Sequence, residues 1–545
     1  MQKGDFVEIL IEDMSQEGNG IGHAEDGMTI FASGAVVGDK VRVGISNVKK
    51  NYAQGKTVSI IEKSGLRKPE DVVCPYIDEC GGCGYGKLTY DAQLKLKEKS
   101  VKDKIKRLAG IDYHSERSEE SLVKPILQCD SQLYYRNKAT ISVYNDLVGF
   151  KERRSNMIVD CNDCMIQNKN AMKAANAVRT FIKEENAKSV IDSVVVKTTS
   201  LEEVMVVINR VLDKKTNRPV KKDLNWERLA LSIDDAVGNA LESFYVDDKC
   251  IAGKRTVLDE ANGVKFEISP LSFYQVNHSQ MINLYDKVVE YADPKDGDTI
   301  LDLYCGIGTI GLYIAKKLDG KCMIYGIESV KPAIIDANRN AVINGIVNAR
   351  FFTGKAEDIL PKLMEEGIDD VKIESCNIAI VDPPRAGCDK TLLDSVVKAN
   401  PERIVYVSCD PATLSRDIKY LSEMGYQLIE ATPVDMFPDT VHVETVVLLS
   451  KGEISSRNIR VEFSLEDMDI TSLRGKATYD QIKGYIKERF GMKVSTLYIS
   501  QIKRKCGLEV GESYNKSKNE DSKVLVCPPE KEMAIMDALK HFGII

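Results

Sequence analysis

The sequence predicts an α/β protein built around a doubly wound, mostly parallel sheet, with a small β-barrel before it, a central α+β region and a small helical extension after it. Three observations lead there. From Leu271 onward, short apolar runs alternate with helical segments: Ile300 to Tyr304, Met323 to Ile327, Ile378 to Val381, Ile404 to Ser408 and Val443 to Leu449. Leu301 to Gly311 reads as a strand, a glycine turn and a helix start, and it satisfies the Rossmann-like G-x-G-x-x-G spacing at Gly306, Gly308 and Gly311. Ile404, Val405 and Val407 form a β-branched run that Asp410-Pro411 ends. Cys409 is thereby placed at the carboxyl edge of a strand, where open α/β sheets bind ligands.

At 545 residues the chain is too long for one core, and its length suggests three or four domains. Apolar residues make up 43% and charged residues 29%, the balance of an ordinary globular protein. No apolar run approaches the ~20 residues that a membrane span needs. Met1 to Asp13 mixes acids with apolar residues and does not read as an export signal, so the expected compartment is the cytoplasm. There, 14 cysteines point to thiols, a metal site or a nucleophile and not to disulfides. A net charge of −7 excludes a uniformly basic nucleic-acid binder, while 75 Lys and Arg leave room for local patches.

Residues 1–63 alternate with period two (Phe6, Ile9, Ile11; Met28, Ile30; Val41, Val43, Ile45; Val58, Ile60) between closely spaced glycines, the pattern of a small barrel. Gly20-Ile21-Gly22, Asp26-Gly27 and Gly38-Asp39-Lys40-Val41 resemble the TRAM domain, an OB-like barrel found on RNA-modifying enzymes. That resemblance implies RNA contacts through Phe31, Lys49, Lys50, Tyr52 and Lys56; without it the barrel has no set partner.

In the next region, 64–270, Cys74, Cys80 and Cys83 stand in a C-x5-C-x2-C spacing whose glycines let the backbone wrap closely around a bound group. A fourth ligand is needed, and Cys161 and Cys164 are the candidates. Four cysteines suit a structural zinc or an iron–sulfur cluster, and spacing does not separate the two. The spacing does differ from the C-x3-C-x2-C loop of radical enzymes, which argues against radical chemistry. Leu88 to Leu108, rich in lysine, predicts a helix that is mostly a solvated face, and His114 to Ser121 a polar surface insertion. Tyr134-Tyr135-Arg136-Asn137-Lys138 has groups that stack on bases and grip phosphate, although a strand edge with a tyrosine pair would look the same. Val/Ile runs between about 125 and 265 predict a second, mixed or antiparallel sheet.

Residues 271–452 carry the chemistry. Glu328, at the end of the second strand, is placed to accept the ribose hydroxyls of a cofactor bound at the glycine turn. The turn alone fits NAD or S-adenosylmethionine. Val381-Asp382-Pro383-Pro384-Arg385 discriminates, because this stiff D-P-P turn resembles the loop by which S-adenosylmethionine methyltransferases position a base beside the methyl donor. In that setting Cys409 suits attack on carbon 6 of uracil, since a thiolate is strongly nucleophilic and its addition makes carbon 5 enolate-like. Glu444, at the start of the last strand in His442-Val443-Glu444, is the candidate base that removes the carbon 5 proton; its plain alternative is a solvent-facing acid.

Ser408-Cys409-Asp410-Pro411-Ala412-Thr413-Leu414-Ser415-Arg416-Asp417 resembles the nucleophile signature of the RNA (uracil-5-)-methyltransferase family. His442-Val443-Glu444 resembles its second signature, and Phe273-Tyr274-Gln275-Val276-Asn277 its cofactor-contact motif. With the barrel and the cysteine set, residues 1 to about 450 are similar to the branch that methylates 23S ribosomal RNA and carries a [4Fe–4S] cluster. The resemblance implies Cys409 as nucleophile, Glu444 as base, and Gln275, Tyr304, Glu328 and Asp382 as S-adenosylmethionine contacts. It also implies Cys74, Cys80, Cys83 and Cys164 as cluster ligands, with the extra Cys161 leaving the fourth open. Asp410 stands where many members have Asn. The expected enzyme is a monomer that extrudes one uridine of 23S rRNA and methylates its carbon 5. A tRNA uracil-5-methyltransferase is the alternative of the same class. An NAD-dependent iron–sulfur oxidoreductase and a non-catalytic RNA-binding factor are the alternatives of other classes.

Residues 453–545 lie outside the resemblance. Thr478 and Gln481 fit a capping box for a helix carrying Ile482, Tyr485 and Ile486 and ended at Gly491; Ser495 starts a second helix with Ile499, Ile502 and Lys503-Arg504-Lys505. The pair resembles a helix-turn-helix, suited to RNA recruitment or to packing on its own enzyme.

Overall fold

The computed structural model describes residues 1–111, 121–451, 479–506 and 527–542. The chain divides into two compact units, 1–454 and 455–545. Among the described residues no helix is long and apolar enough to cross a membrane.

The first unit opens with β1 (Phe6–Leu10), β2 (Asp13–Met14), β3 (Gly20–His23), β4 (Thr29–Ser33), β5 (Lys40–Val48) and β6 (Tyr52–Glu62), one sheet in the order β1-β5-β6-β4-β3-β2. The period-two pattern turns Ile9, Ile30, Val41, Val43 and Ile45 inward. Gly22 has no substitute, because a Cβ there would lie 2.3 Å from the Leu10 carbonyl oxygen. Asp39 accepts from the Val36 and Ser64 N–H groups and the Arg67 guanidinium. Burial alone would raise its pKa; those donors outweigh it and hold the carboxyl below its usual range.

The cysteine-bearing segment follows, then α1 (Tyr90–Lys104), which runs into a π-helical turn at Ile105–Ala109. The expectation of a mostly solvated helix needs correction. Ala92, Gln93, Leu94, Lys97 and Val101 form a buried face, and Leu94, Val101 and Ile105 join the core of the catalytic sheet. The segment expected as a surface insertion at 114–121 falls, but for Ser121, outside the described residues.

The central sheet contains β7 (Lys138–Tyr144), β8 (Leu147–Lys151), β9 (Ile158–Asp160), β10 (Ile191–Thr198), β11 (Val204–Arg210), β12 (Leu241–Val246) and β13 (Lys249–Gly253). Its order is β13-β12-β11-β10-β7-β8-β9, and only β11–β12 pair in parallel. The helices α2 (Lys169–Glu184) and α3 (Trp226–Ala236) pack on it through Val178, Phe181, Leu229 and Ile233. A hairpin of β14 (Val257–Ala261) and β15 (Val264–Ile268) packs into the catalytic core instead, so that core begins before the boundary expected at 270.

The catalytic sheet joins β16 (Thr299–Leu303), β17 (Met323–Glu328), β18 (Ala349–Thr353), β19 (Ile378–Val381), β20 (Arg403–Ser408), β21 (Tyr426–Val434) and β22 (Glu444–Lys451) in the order β18-β17-β16-β19-β20-β22-β21. All neighbours are parallel except β22, which runs antiparallel to β20 and β21. One face is covered by α4 (His278–Ala292), α5 (Thr309–Lys317) and α6 (Lys331–Ile343), the other by α7 (Ala356–Glu365), α8 (Lys390–Ala399), α9 (Pro411–Glu423) and α1. Sequence patterning missed β18 and β21. The first is a short edge strand without a β-branched run, and the second carries Pro433 and a register shift between Leu428 and Glu430.

The second unit holds α10 (Tyr479–Phe490), α11 (Thr496–Lys505) and α12 (Pro529–His541). Gly491 follows α10 with φ +65°, and the Ser495 hydroxyl caps α11 by accepting from the Tyr498 N–H. The Thr478 capping box lies outside the described residues. The third helix, unanticipated, inserts Ala534, Ile535, Ala538 and Leu539 between Ile482, Ile486, Ile499 and Ile502.

Candidate active site

Five candidate residues lie along one edge of the catalytic sheet in strand order. Glu328 ends β17, Tyr304 follows β16, Asp382 follows β19, Cys409 follows β20 and Glu444 begins β22. The strand order reverses between β16 and β19, which opens a crevice there.

Antiparallel register brings the last two together. Ser408 pairs with Thr445, so Cys409 and Glu444 are the next opposed residues, one leaving the sheet where the other enters it. Cys409 is held on both sides. The Asp410 N–H donates to Ser408 Oγ, and Asp410 caps α9 by accepting from the Ala412 and Thr413 N–H groups, with Pro411 at the first helical position. A single side-chain oxygen does the capping, which Asn supplies equally well. The D-P-P loop is tied to the same helix: Thr413 Oγ1 donates to the Arg385 carbonyl, and Arg416 donates to the Ala386 carbonyl.

The electrostatics are set by burial and a row of acids. Burial, and next the Asp382 carboxylate, push Glu444 up to about 8, while Arg385 opposes them. Burial and then Asp302 raise Asp382 to about 7; Asp302 reaches about 7 through burial and Glu328, against the Gly311 N–H it accepts. Burial and then Glu444 raise the Cys409 thiol to about 11, again opposed by Arg385. His442 lies 3.3 Å from Arg385, and burial followed by that cation lowers it to about 4, so the imidazole is neutral. Cys409, Asp410, Arg385 and His442 open onto a cleft of about 590 Å³ whose far wall is Asp13 to Gln16, Lys104 and Arg107.

The crevice suits a nucleotide cofactor. Tyr304 sits at φ +64°, a left-handed conformation that costs a non-glycine residue about 1–2 kcal/mol. Gly306 is left-handed too and has open space where a Cβ would point. Gly311 packs tightly, since a Cβ would lie 2.7 Å from Ile324 Cγ2 and 2.8 Å from Asp302 Oδ2. Gln275, Tyr304 and Asp382 line one small cavity with the glycine turn, and Tyr304 and Glu328 line a neighbouring one of about 420 Å³. The buried Asp302 Oδ1 has no hydrogen-bond partner among the described residues. Glu328 accepts from the Gly306 and Val330 N–H groups, fixing its carboxylate at the rim. These are fitting features for S-adenosylmethionine.

Elsewhere, the Cys74, Cys80, Cys83 and Cys164 thiols lie close enough to perturb one another; burial and then neighbouring charges, Cys164, Cys80 and Cys74 among them, push Cys83 up. Cys161 is buried and its thiol donates to the Asp163 carbonyl at 2.6 Å. Among the described residues, no three Cys, His, Asp or Glu side chains converge tightly enough to hold one metal ion. Of Tyr134 to Lys138 only Asn137 is buried; the other four are half-buried. The Tyr135 hydroxyl donates to the Pro438 carbonyl, while Asn137 donates to the Gln275 carbonyl and its N–H to that of Val276. In the barrel, Phe31 and Tyr52 meet edge to face with centroids 5.5 Å apart, beside exposed Lys49, Lys50 and Lys56. Sequence reasoning gave no role to Arg385, His442 or Asp302. Arg385 and His442 flank assigned motifs, a signal that was present, whereas Asp302 shows only as one acid in an apolar strand.

The fold and the crevice define an S-adenosylmethionine-dependent methyltransferase. The model of the tRNA (uracil-5-)-methyltransferase family matches residues 89–452, and that of the TRAM domain residues 1–58. The chain belongs to the tRNA (uracil-5-)-methyltransferase family and carries a TRAM domain. An uncharacterized RNA methyltransferase of Caldanaerobacter subterraneus subsp. tengcongensis is 39% identical over 469 residues, covering 82% of this chain and 98% of the relative. One of Clostridium tetani is 36% identical over 83% of this chain and 97% of its own length. Among solved structures, the Pyrococcus abyssi tRNA (uracil-54, C5)-methyltransferase in complex with S-adenosyl-L-homocysteine aligns with TM-score 0.62 and 26% identity, over 81% of this chain and 99% of that one.

Proposed function

We propose that this enzyme methylates carbon 5 of a uridine in 23S rRNA through covalent catalysis by Cys409, with Glu444 as base. The observation that carries this reading is the β20–β22 register, whose last pair, Ser408 and Thr445, leaves the Cys409 thiol and the Glu444 carboxyl adjacent to it and close enough for the carboxyl to raise the thiol. The Cys409 sulfur adds to carbon 6 of uracil, and the electron pair shifts to carbon 5 as an enolate. S-adenosylmethionine, held by Gln275, Tyr304, Glu328 and Asp382, supplies an electrophilic methyl group. Carbon 5 takes that methyl as the methyl's bond to the sulfonium sulfur breaks, which would leave S-adenosylhomocysteine; ionised Glu444 then removes the carbon 5 proton, the C5–H pair re-forms the carbon 5–carbon 6 double bond, and the carbon 6–sulfur bond breaks to restore the thiolate. Lys104 and Arg107 on the cleft wall, with the barrel's Phe31, Tyr52 and lysines, supply charge and stacking for RNA around the extruded base.

Cys74, Cys80, Cys83 and Cys164 would hold a [4Fe–4S] cluster, whose role is to shape the segment and orient RNA. A cluster keeps its thiolates farther apart than a zinc ion, which draws four sulfurs to ~2.3 Å of one point. What supports a shared group here is that these thiols lie close enough to perturb one another. Cys161 already donates to a carbonyl, which favours Cys164.

The test is covalent trapping. The full chain and S-adenosylmethionine are incubated with unmodified 23S rRNA, or with tRNA, each containing 5-fluorouridine, which cannot lose fluorine as a cation. A denaturation-resistant protein–RNA band with rRNA, lost in Cys409→Ala, is expected. A band with tRNA alone moves the substrate to tRNA, and no band with either sinks the covalent reading.

A further inference from the structure

Gln93 and Lys97 are four residues apart on α1 and share its buried face, each with 1% exposure or less. A fully buried lysine is rare unless paired, and no step of the reaction uses this one. The two side chains reach two aspartates, Asp435 and Asp439, that are also four apart, on the segment joining β21 to β22. Lys97 Nζ donates to Asp435 Oδ1 at 2.5 Å and to the Phe437 carbonyl at 2.9 Å. Gln93 Nε2 donates to Asp439 Oδ1 at 2.7 Å, and its Oε1 accepts from the Asp439 N–H at 2.8 Å. Lys68 closes on the same Asp439 carboxylate at 2.5 Å, and the Tyr85 N–H donates to the Asp439 carbonyl at 2.9 Å. Tyr85 stands two residues beyond Cys83, so the cysteine-bearing segment is part of this clamp.

The clamped segment, 435–443, leads into Glu444 and carries Val441 and His442 into the cleft beside Cys409. Loops that span two strands normally lie on the surface and set their own shape. This one is shaped from outside, by side chains 338 and 346 positions earlier in the chain.

We propose that Gln93 and Lys97 are positioning residues that hold the 435–443 segment so that His442 stays on Arg385 and Glu444 stays against Cys409. The inference rests on Glu444 being the base of the proposed reaction. Cys409 is fixed independently, by its strand and by the Asp410 cap. Glu444 is the first residue of β22, paired with Val434, and the clamp holds the segment that leads into it. Loosening the clamp therefore lets the entry of that strand shift, and the base with it, and leaves the nucleophile in place. Attack on uracil continues, while removal of the carbon 5 proton, and with it release of the methylated RNA, slows.

The experiment compares full-length wild type with Gln93→Met, with the volume-keeping pair Lys97→Met and Asp435→Leu, and with Lys95→Met on the exposed face of α1 as control. Adduct formation and product release on ordinary uridine RNA are timed separately, beside thermal midpoint and S-adenosylmethionine affinity. The expected result, in whichever clamp variant keeps wild-type midpoint and cofactor affinity, is normal adduct formation, release slowed about tenfold or more, and a covalent complex that accumulates. Lys95→Met behaves as wild type. Unchanged release, equal losses in attack and release, or failure of both clamp variants to fold overturns the inference, since the clamp would then be scaffold alone. A wild type that forms no adduct at all, even with 5-fluorouridine, marks instead the failure of the underlying covalent reading.

Discussion

Replacing Glu444 by Gln separates the two halves of the proposed reaction, and the pKa values say by how much. A carboxyl at about 8 is ionised in about one molecule in ten at pH 7, in about half at pH 8 and in about nine in ten at pH 9. Product release in the wild type should therefore rise about ninefold from pH 7 to pH 9 and then flatten. The Cys409 thiol, at about 11, is ionised in only about one molecule in ten thousand at pH 7, so attack should climb about tenfold per pH unit across that range without flattening. Glu444→Gln removes the nearest charge that raises the thiol, so attack is kept or quickened, while release falls by about 10²–10⁴. Stability moves the other way. Folding raises this carboxyl from 4.5 to about 8, so the native state binds the extra proton and loses stability as pH rises between those values. At about 1.4 kcal/mol per unit, the wild type is weakened by about 3 kcal/mol at pH 7 and about 5 kcal/mol above pH 8, a penalty the amide escapes. Rapid-quench adduct assays and urea unfolding at pH 5, 7 and 9 measure both effects. A Gln variant that releases product at the wild-type rate, or forms no adduct, refutes the assignment of Glu444.

Other perturbations test the rest of the site. Glu328→Gln weakens charge-assisted bonds worth about 1.5–3 kcal/mol, so calorimetry should show S-adenosylmethionine affinity reduced about tenfold to a hundredfold, with adduct formation recovered at saturating cofactor. Cys164→Ser should lose iron on anaerobic reconstitution while Cys161→Ser retains it, because the Cys161 thiol is already committed to the Asp163 carbonyl; iron and sulfide content after desalting decides.

The sheet edge was legible in the sequence because each residue on it is announced locally. A glycine turn follows β16, a double proline follows β19, and Asp410-Pro411 caps the helix after Cys409. What ties the edge to the rest of the chain was not legible. Lys97 lies in a run of lysines that reads as a solvated face, and only a partner 338 residues away makes its burial tolerable. Tyr135 and Asn137 suggested base stacking by type, yet long-range packing commits them to Pro438 and Gln275. The third helix of the second unit was missed because α10 and α11 already formed a complete-looking pair, and its apolar face, Ala534, Ile535, Ala538 and Leu539, matters only once it meets theirs.

The antiparallel last strand explains why this edge can bring the proposed nucleophile to the proposed base and leave a separate place for a cationic cofactor. A parallel β22 would leave the sheet at the edge where Cys409 sits and would present its end, not its start. Because β22 enters there, the hydrogen-bond ladder that ends at Ser408 and Thr445 sets Cys409 and Glu444 at the same end of two paired strands. The neighbouring acids then do different work. Asp302 and Asp382, both raised to about 7 by burial, and next by Glu328 and by Asp302 respectively, sit where positive charge is welcome and negative charge is crowded. S-adenosylmethionine carries a sulfonium charge that its demethylated product lacks. The acid row therefore favours the donor over the spent product by a Coulombic difference, and it loses that attraction when the methyl group leaves. Binding and discharge of the cofactor are thus biased by Asp302 and Asp382, and Asp382, second to burial, also raises Glu444.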